Sequence, residues 1–127
     1  QDRDETIFLH KPFLVLADYL TRNGIAVLRY DDRGMGKSKG RTNDATSLTF
    51  ADDAEAALTY LLQRPEIDSR KIGLAGHSEG GLIAPIVASR NRNVSFIVSL
   101  AGPGVKGYEV LLKQAQDILA ASGTSQA

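Results

Sequence analysis

Residues 73–81 read GLAGHSEGG and lie between two apolar runs, Lys71–Ala75 and Leu82–Ala88. A strand, a sharp glycine turn and a helix form the setting in which the pattern Gly-x-Ser-x-Gly presents a nucleophilic serine. The turn is expected to hold Ser78 in a strained conformation, so that its hydroxyl stands clear of the backbone. Glu79 begins the helix, and its backbone N–H points to where an oxyanion would develop. We therefore predict Ser78 as a catalytic nucleophile and the Glu79 N–H as an oxyanion-hole donor.

Apolar runs alternate with helical patterns along the chain. Nearly continuous apolar runs predict parallel strands buried on both faces, at about residues 25–31, 71–76 and 94–100. Apolar residues at helical spacing predict helices, at about 13–22, 49–64, up to 89 and 108–121. The second helix is expected to start at a capping box formed by Thr49 and Asp52. This alternation predicts βαβ units and the α/β fold class.

Three residues around the turn carry structural expectations. Gly76 and Gly80 are expected to be small because neighbouring backbone crowds both sides of the turn. Pro85 lies inside the helix that follows, where it removes a backbone hydrogen bond and should bend the axis over the sheet.

The composition of the chain argues against several kinds of binding partner and against targeting segments. The 127 residues suit one domain, and fifteen basic and fifteen acidic residues cancel, so neither nucleic acid nor an acidic membrane is expected as a partner. No apolar run reaches the roughly 18 residues of a membrane span. Residues 1–6 do not resemble a signal peptide, and without cysteine the compartment is undetermined.

A second glycine-rich segment invites a nucleotide-binding interpretation, which its spacing rejects. Gly36-Lys37-Ser38 matches the end of a P-loop, but the first glycine of that motif would fall on Asp31. A dinucleotide fingerprint beginning at Gly34 would need glycine where Lys39 stands. We expect no cofactor and no metal.

Two motifs resemble those of bacterial α/β-hydrolases of the esterase and serine-aminopeptidase-like group. Residues 76–80, GHSEG, resemble the nucleophile elbow, and residues 30–38, YDDRGMGKS, resemble the Asp-x-Arg-Gly-x-Gly-x-Ser loop after strand 4. The resemblance implies a partial α/β-hydrolase fold, with residues 1–104 as the central part of the core and 105–127 as the start of a helical cap. It implies a small acyl substrate and a second oxyanion donor in the loop after strand 3, for which Gln1 is the earliest candidate.

Other charged residues of these loops are given structural roles. Asp31, Asp32 and Arg33 are expected to brace the loop after strand 4, with a catalytic role as the alternative. Asp2 and Asp4 are expected to belong to a solvated loop.

The proton acceptor for Ser78 is missing from the pattern. A triad in this fold runs serine, acid, histidine along the chain, but no histidine follows Ser78. His77 adjoins Ser78, so its side chain should project away from the hydroxyl. His10 is interpreted as a surface or capping residue, with an unusual base as the alternative. We expect the chain to be part of a longer enzyme and inactive alone.

The resemblance also places a central strand before Gln1, between strands 4 and 5. Without it, these strands must pair directly or another copy must supply the edge, because unpaired edges and uncovered apolar faces favour association. We expect self-association through the sheet edges. Three functions stay open: hydrolysis of a carboxylic ester or related acyl compound, an aminopeptidase-like activity of the same fold, and a non-catalytic α/β domain that keeps the elbow for structural reasons.

Overall fold

A computed structural model describes residues 1–123 of the chain. Its helices and strands are α1 (Pro12–Arg22), α2 (Ser47–Leu62), β1 (Gly73–His77), α3 (Glu79–Arg90), β2 (Phe96–Leu100) and α4 (Gly107–Ala121), with a short 3-10 turn at Ser69–Lys71. The helices predicted at 13–22 and 108–121 are confirmed. Residues 124–127, the end of the predicted cap segment, lie outside the described residues.

The central unit is βαβ, as predicted. β1 and β2 are parallel neighbours, with Gly73 opposite Phe96 and His77 opposite Leu100, and α3 connects them. The two strands end level, so the turn after β1 and the loop after β2 meet at the carboxyl edge of the sheet.

A small core forms where α2 packs against α3. Its buried residues are Ala51, Ala54, Leu58, Ile72 and Val87. Leu58 and Val87 are its largest fully buried side chains, and the two alanines of α2 allow the helices to approach closely. This core fixes α3, and therefore the turn before it, against the sheet.

The start of α2 corrects a prediction. The N-cap is Thr46, whose hydroxyl accepts the Thr49 N–H while the Thr49 side chain accepts the Thr46 N–H. The helix therefore begins one turn earlier than the predicted box of Thr49 and Asp52. Threonine can play both parts of a reciprocal cap because each part requires only a side-chain oxygen that accepts a backbone N–H.

The strand predicted at 25–31 does not form. The described sheet has two strands, β1 and β2, and residues 25–30 form no ladder with either. Direct pairing of this segment with β1 is therefore wrong. An apolar run becomes a strand only when a neighbouring strand pairs with its backbone. β1 pairs with β2 along one edge, and residues 25–30 do not pair with its other edge. Ile25 instead closes the end of α1 by donating its N–H to the Leu20 carbonyl at 3.0 Å.

Large apolar surfaces are consequently uncovered. All five residues of β2 are exposed, and the accessible surface is 9351 Å², against roughly 6,600 Å² for a compact protein of this mass. The excess is comparable with the area that obligate interfaces bury. None of the helices in residues 1–123 is long and apolar enough to cross a membrane.

We predict that the 127-residue chain associates with a second copy through these faces. Light scattering at micromolar concentration should give a mass of at least twice 13.7 kDa. Phe96→Asp, which places a charge on a half-exposed strand residue, should shift the mass towards the monomer. A monomeric wild type over that range would contradict the prediction.

Candidate active site

Ser78 lies at the tip of β1 in a strained conformation. Its φ is 53° and its ψ −115°, a left-handed region that costs a non-glycine residue about 1–3 kcal/mol. Two hydrogen bonds hold it there: the Ser78 N–H donates to the Leu100 carbonyl and the Gly81 N–H donates to the Ser78 carbonyl, both at 2.9 Å. Ser78 is exposed, and its hydroxyl bonds to no residue among those described. The strain therefore presents a free hydroxyl.

The glycines of the turn are not equivalent. A Cβ on Gly76 would lie 2.1 Å from the Gly80 oxygen and 2.2 Å from the Gly80 carbonyl carbon, so position 76 excludes every side chain. A Cβ on Gly80 would meet nothing within 4 Å. Crowding is confirmed at Gly76 and wrong at Gly80, because the backbone of Gly80 is what crowds Gly76.

The first residue of α3 supplies an unused donor. The N–H of Glu79 has no acceptor in the described part of the chain, as expected for the first turn of a helix. The Glu79 carboxylate accepts a hydrogen bond of 2.7 Å from the Ser47 hydroxyl at the start of α2. That bond turns the side chain towards α2 and leaves the N–H beside Ser78 open. The geometry fits the predicted oxyanion donor, whose role stays a prediction.

Gln1, the other predicted donor, lies beside Asp32. The backbone nitrogen of Gln1 donates to the Asp32 carboxylate at 2.6 Å, and the backbone carbonyl of Gln1 accepts the Asp32 N–H at 3.0 Å. No bond joins it to Ser78 among the described residues. Its assignment to the oxyanion hole stays a prediction.

Close backbone contacts hold the start of α3 against the sheet. A Cβ on Gly81 would lie 2.6 Å from the Cα of Gly102, just after β2. Pro85 cannot donate to the Gly81 carbonyl four residues earlier, and the Ser99 hydroxyl of β2 lies 3.5 Å from that oxygen. Ser99 thus offers a weak replacement for the bond that Pro85 removes, a compensation that the sequence pattern did not reveal.

Neither histidine contacts Ser78. The Nδ1 of His77 lies 2.6 Å from the Oε1 of Glu5, so its ring is engaged elsewhere. His10 forms a backbone bridge with Ile7. Glu5 was missed by the sequence analysis, because a single glutamate in a polar segment carries no pattern that points to a histidine 72 residues away.

Ion pairs tie residues 1–5 to the loop after residue 30. Asp31 accepts three bonds from Arg3: the backbone N–H at 2.9 Å, Nε at 3.0 Å and Nη2 at 2.6 Å. Asp4 pairs with Arg29 and Lys11. Asp4 is therefore part of a charge network, and the expectation that it belongs to a solvated loop is wrong.

The same loop is fixed to α2. Arg33 forms a two-point ion pair with Asp53, with Nε–Oδ2 at 2.7 Å and Nη2–Oδ1 at 2.6 Å, and this carboxylate raises the pKa of the guanidinium. Asp31 also accepts the Lys37 N–H at 3.2 Å. These contacts support the predicted bracing role of Asp31, Asp32 and Arg33.

Asp31 gives the network a pH dependence. Hydrogen bonds from the Arg3 side chain, then from the Arg3 and Lys37 N–H groups, hold the pKa of its carboxyl well below the ordinary value. The stability that this carboxylate contributes is fully present above its pKa in the unfolded chain, about 3.9. It is lost as the pH falls from there through its lower pKa in the folded chain.

We therefore predict that Asp31→Asn lowers the urea midpoint at pH 7. The gap between variant and wild type should close as the pH falls below about 4. Asp18→Asn, which removes an exposed partner of Arg22, should change the midpoint little. A gap that stays constant down to pH 2 would contradict this account.

No cluster of three or more histidines, aspartates and glutamates suited to a metal ion occurs within residues 1–123. The arrangement that remains is a free serine hydroxyl beside an open helix N-terminus. An arrangement of this kind is chemically suited to attack on a carbonyl carbon, with the amide able to stabilise the resulting oxyanion.

Comparison with known proteins matches residues 11–124 to the model of one family, described as serine aminopeptidase, S33. Among curated proteins, the chain is 31% identical to polyketide transferase claH of Penicillium crustosum over 85% of its length and 38% of that protein. It is 30% identical to esterase EstD of Thermotoga maritima over 98% of its length and 30% of that protein. It is 35% identical to thiohydrolase aneE of Aspergillus aculeatus over 66% of its length and 27% of that protein. The chain thus spans about a third of the length of the curated relatives it matches.

Proposed function

The chain belongs to the serine aminopeptidase family, S33, and on that premise we propose that it carries the nucleophile of a serine hydrolase acting on a carboxylic ester or related acyl compound. The fold is a partial α/β-hydrolase fold. The observation that carries the proposal is Ser78 itself: φ of 53°, an exposed hydroxyl and an unoccupied amide next in the chain. Strained residues held by the surrounding structure cluster at active sites, which supports the proposal.

The proposed reaction has two halves. The Ser78 Oγ attacks the acyl carbon, the Glu79 N–H stabilises the oxyanion, and the alcohol or thiol leaves with a proton. Water then attacks the acyl-serine and releases the carboxylic acid. Both halves need a base for the attacking hydroxyl. Because neither His10 nor His77 is hydrogen-bonded to Ser78 among the described residues and no histidine follows Ser78, we propose that the base lies outside these 127 residues.

The names of the relatives support acyl chemistry, although the family description names an aminopeptidase. One of these relatives is named an esterase, one a thiohydrolase and one a polyketide transferase. Ester and thioester leaving groups depart more readily than an amine, which must be protonated as it leaves.

A comparison of leaving groups separates the two activities. In a longer version of the protein that includes a downstream acid and histidine, p-nitrophenyl esters should be hydrolysed faster than aminoacyl p-nitroanilides. The reverse preference would favour the aminopeptidase, and turnover unaffected by Ser78→Ala would favour the non-catalytic domain.

The 127-residue chain should react slowly with a fluorophosphonate probe, because the Ser78 hydroxyl has no imidazole to take its proton. The longer version should react fast. Fast labelling of the short chain, abolished by Ser78→Ala, would show that a base within these residues reaches Ser78.

A further inference from the structure

Glu5 occupies a position that the proposed chemistry leaves unexplained. It is 5% exposed although its neighbours in the sequence, Asp4 and Thr6, are polar, and its φ is 52°. A left-handed conformation is strained for a non-glycine residue. Two contacts accompany this conformation: the Glu5 N–H donates to the Asp2 carbonyl at 3.1 Å, and the Glu5 carboxylate contacts His77.

The Glu5 side chain is buried and the His77 side chain is 39% exposed, and the bond between them is short. Its length of 2.6 Å is typical of hydrogen bonds that involve a charged group. The two residues border a cavity of about 220 Å³ that is otherwise lined by apolar side chains, among them Phe13, Leu16 and Leu100. A buried carboxylate requires a partner, and the apolar surroundings strengthen the bond to the one it has.

The carboxylate fixes the imidazole ring. A neutral histidine whose Nδ1 faces a carboxylate carries its proton on that nitrogen. His77 is the last residue of β1, and its carbonyl carbon is joined to the nitrogen of Ser78. The ring is thus held one residue before the strained position.

The loop that presents Glu5 is itself anchored. Arg3 is bound to Asp31 through its backbone and its guanidinium, and Asp4 is paired with Arg29. On the other side of His77, the Ser78 N–H is bonded to the Leu100 carbonyl. His77 therefore bridges an anchored loop and the turn.

We propose that Glu5 is a positioning residue that holds the nucleophile turn through His77. The inference rests on the proposed role of Ser78 and names a residue that supports it. Loss of the carboxylate frees the ring, loosens the end of β1 and lets the Ser78 hydroxyl drift from the Glu79 N–H. A misplacement of about 1 Å at a reacting group costs on the order of 100-fold in rate.

The contact can be tested in the 127-residue chain without any reaction. Imidazole nitrogen shifts of the wild type should show His77 protonated on Nδ1. In Glu5→Leu, which keeps the bulk and removes the acceptor, the proton should move to Nε2 and the Ser78 amide should exchange about tenfold faster, the loss of roughly one hydrogen bond. Glu66→Leu, which removes a glutamate from a surface pair with Arg64, should change neither.

Two results on this chain would overturn the inference. One is a wild-type His77 protonated only on Nε2, which needs no variant and so does not depend on Glu5→Leu folding. The other is an unchanged exchange rate at Ser78 in folded Glu5→Leu. Glu5→Gln, whose amide oxygen can accept the same bond, should restore much of the protection.

Kinetics in the longer, active protein separate this inference from the proposed function. Glu5→Leu should lower kcat about 100-fold with little change in KM, and should add nothing in a His77→Leu background. Unchanged kcat in Glu5→Leu, with turnover abolished by Ser78→Ala, would overturn the role of Glu5 and leave the function standing. Turnover that survives Ser78→Ala would overturn the proposed serine-hydrolase function. The exchange rate of the Ser78 amide would then still decide whether Glu5 holds the turn through His77.

Discussion

Gly76→Ala should lower the free energy of unfolding by about 3 kcal/mol or more. The added methyl carbon would fall 2.1 Å from the Gly80 oxygen, and neither atom can move without opening the turn. Because that turn joins β1 to α3, its opening also disturbs the packing of α3 on α2. Urea unfolding followed by circular dichroism measures the loss.

Gly80→Ala is the matched control from the same pentapeptide. Its Cβ would meet no described atom within 4 Å, and alanine is favoured over glycine in a helix by about 1 kcal/mol. The variant should be as stable as the wild type or slightly more stable. Equal losses in the two variants would mean that the turn is not closed as described.

Ser78→Ala should reduce ester turnover in the longer, active protein by a factor on the order of 10⁴ or more. The hydroxyl makes no hydrogen bond with the described residues, so its removal should leave the unfolding midpoint nearly unchanged. A large loss of rate without a loss of stability identifies a nucleophile. Initial rates with a p-nitrophenyl ester and a parallel urea titration provide both numbers.

Ser89→Ala provides the control on the same helix. The Ser89 hydroxyl donates to the Ile86 carbonyl at 2.7 Å near the other end of α3, and its loss should leave turnover within about twofold. Comparable losses of rate in the two variants would point to a general effect of α3 and would contradict the assignment of Ser78.

The local features of the fold could be predicted from the sequence. The strand, turn and helix around Ser78 could be predicted because their requirements lie within nine residues: an apolar strand, a glycine at 76 that no side chain can replace, and a helix directly after Ser78. The helices α1 and α4 are readable for the same reason, since their apolar spacing and their terminal residues are local.

Features that depend on distant partners could not be predicted. The apolar run at 25–31 has the composition of a strand, but a strand also needs a paired neighbour, and in the described chain neither β1 nor β2 pairs with this run. The bond between Glu5 and His77 joins residues more than 20 positions apart, as do the ion pairs of Arg3 with Asp31 and of Asp4 with Arg29. The sequence shows that such residues are charged, but it does not show which of them form ion pairs with each other.

The measurement that tests the central claim most directly is the site of the covalent adduct formed with a fluorophosphonate. The longer, active protein would be labelled to completion, digested and mapped by mass spectrometry. We predict a single adduct, on the serine of the peptide that contains GHSEGG, residues 76–81. An adduct on any other residue, or full inhibition without modification of Ser78, would contradict the account.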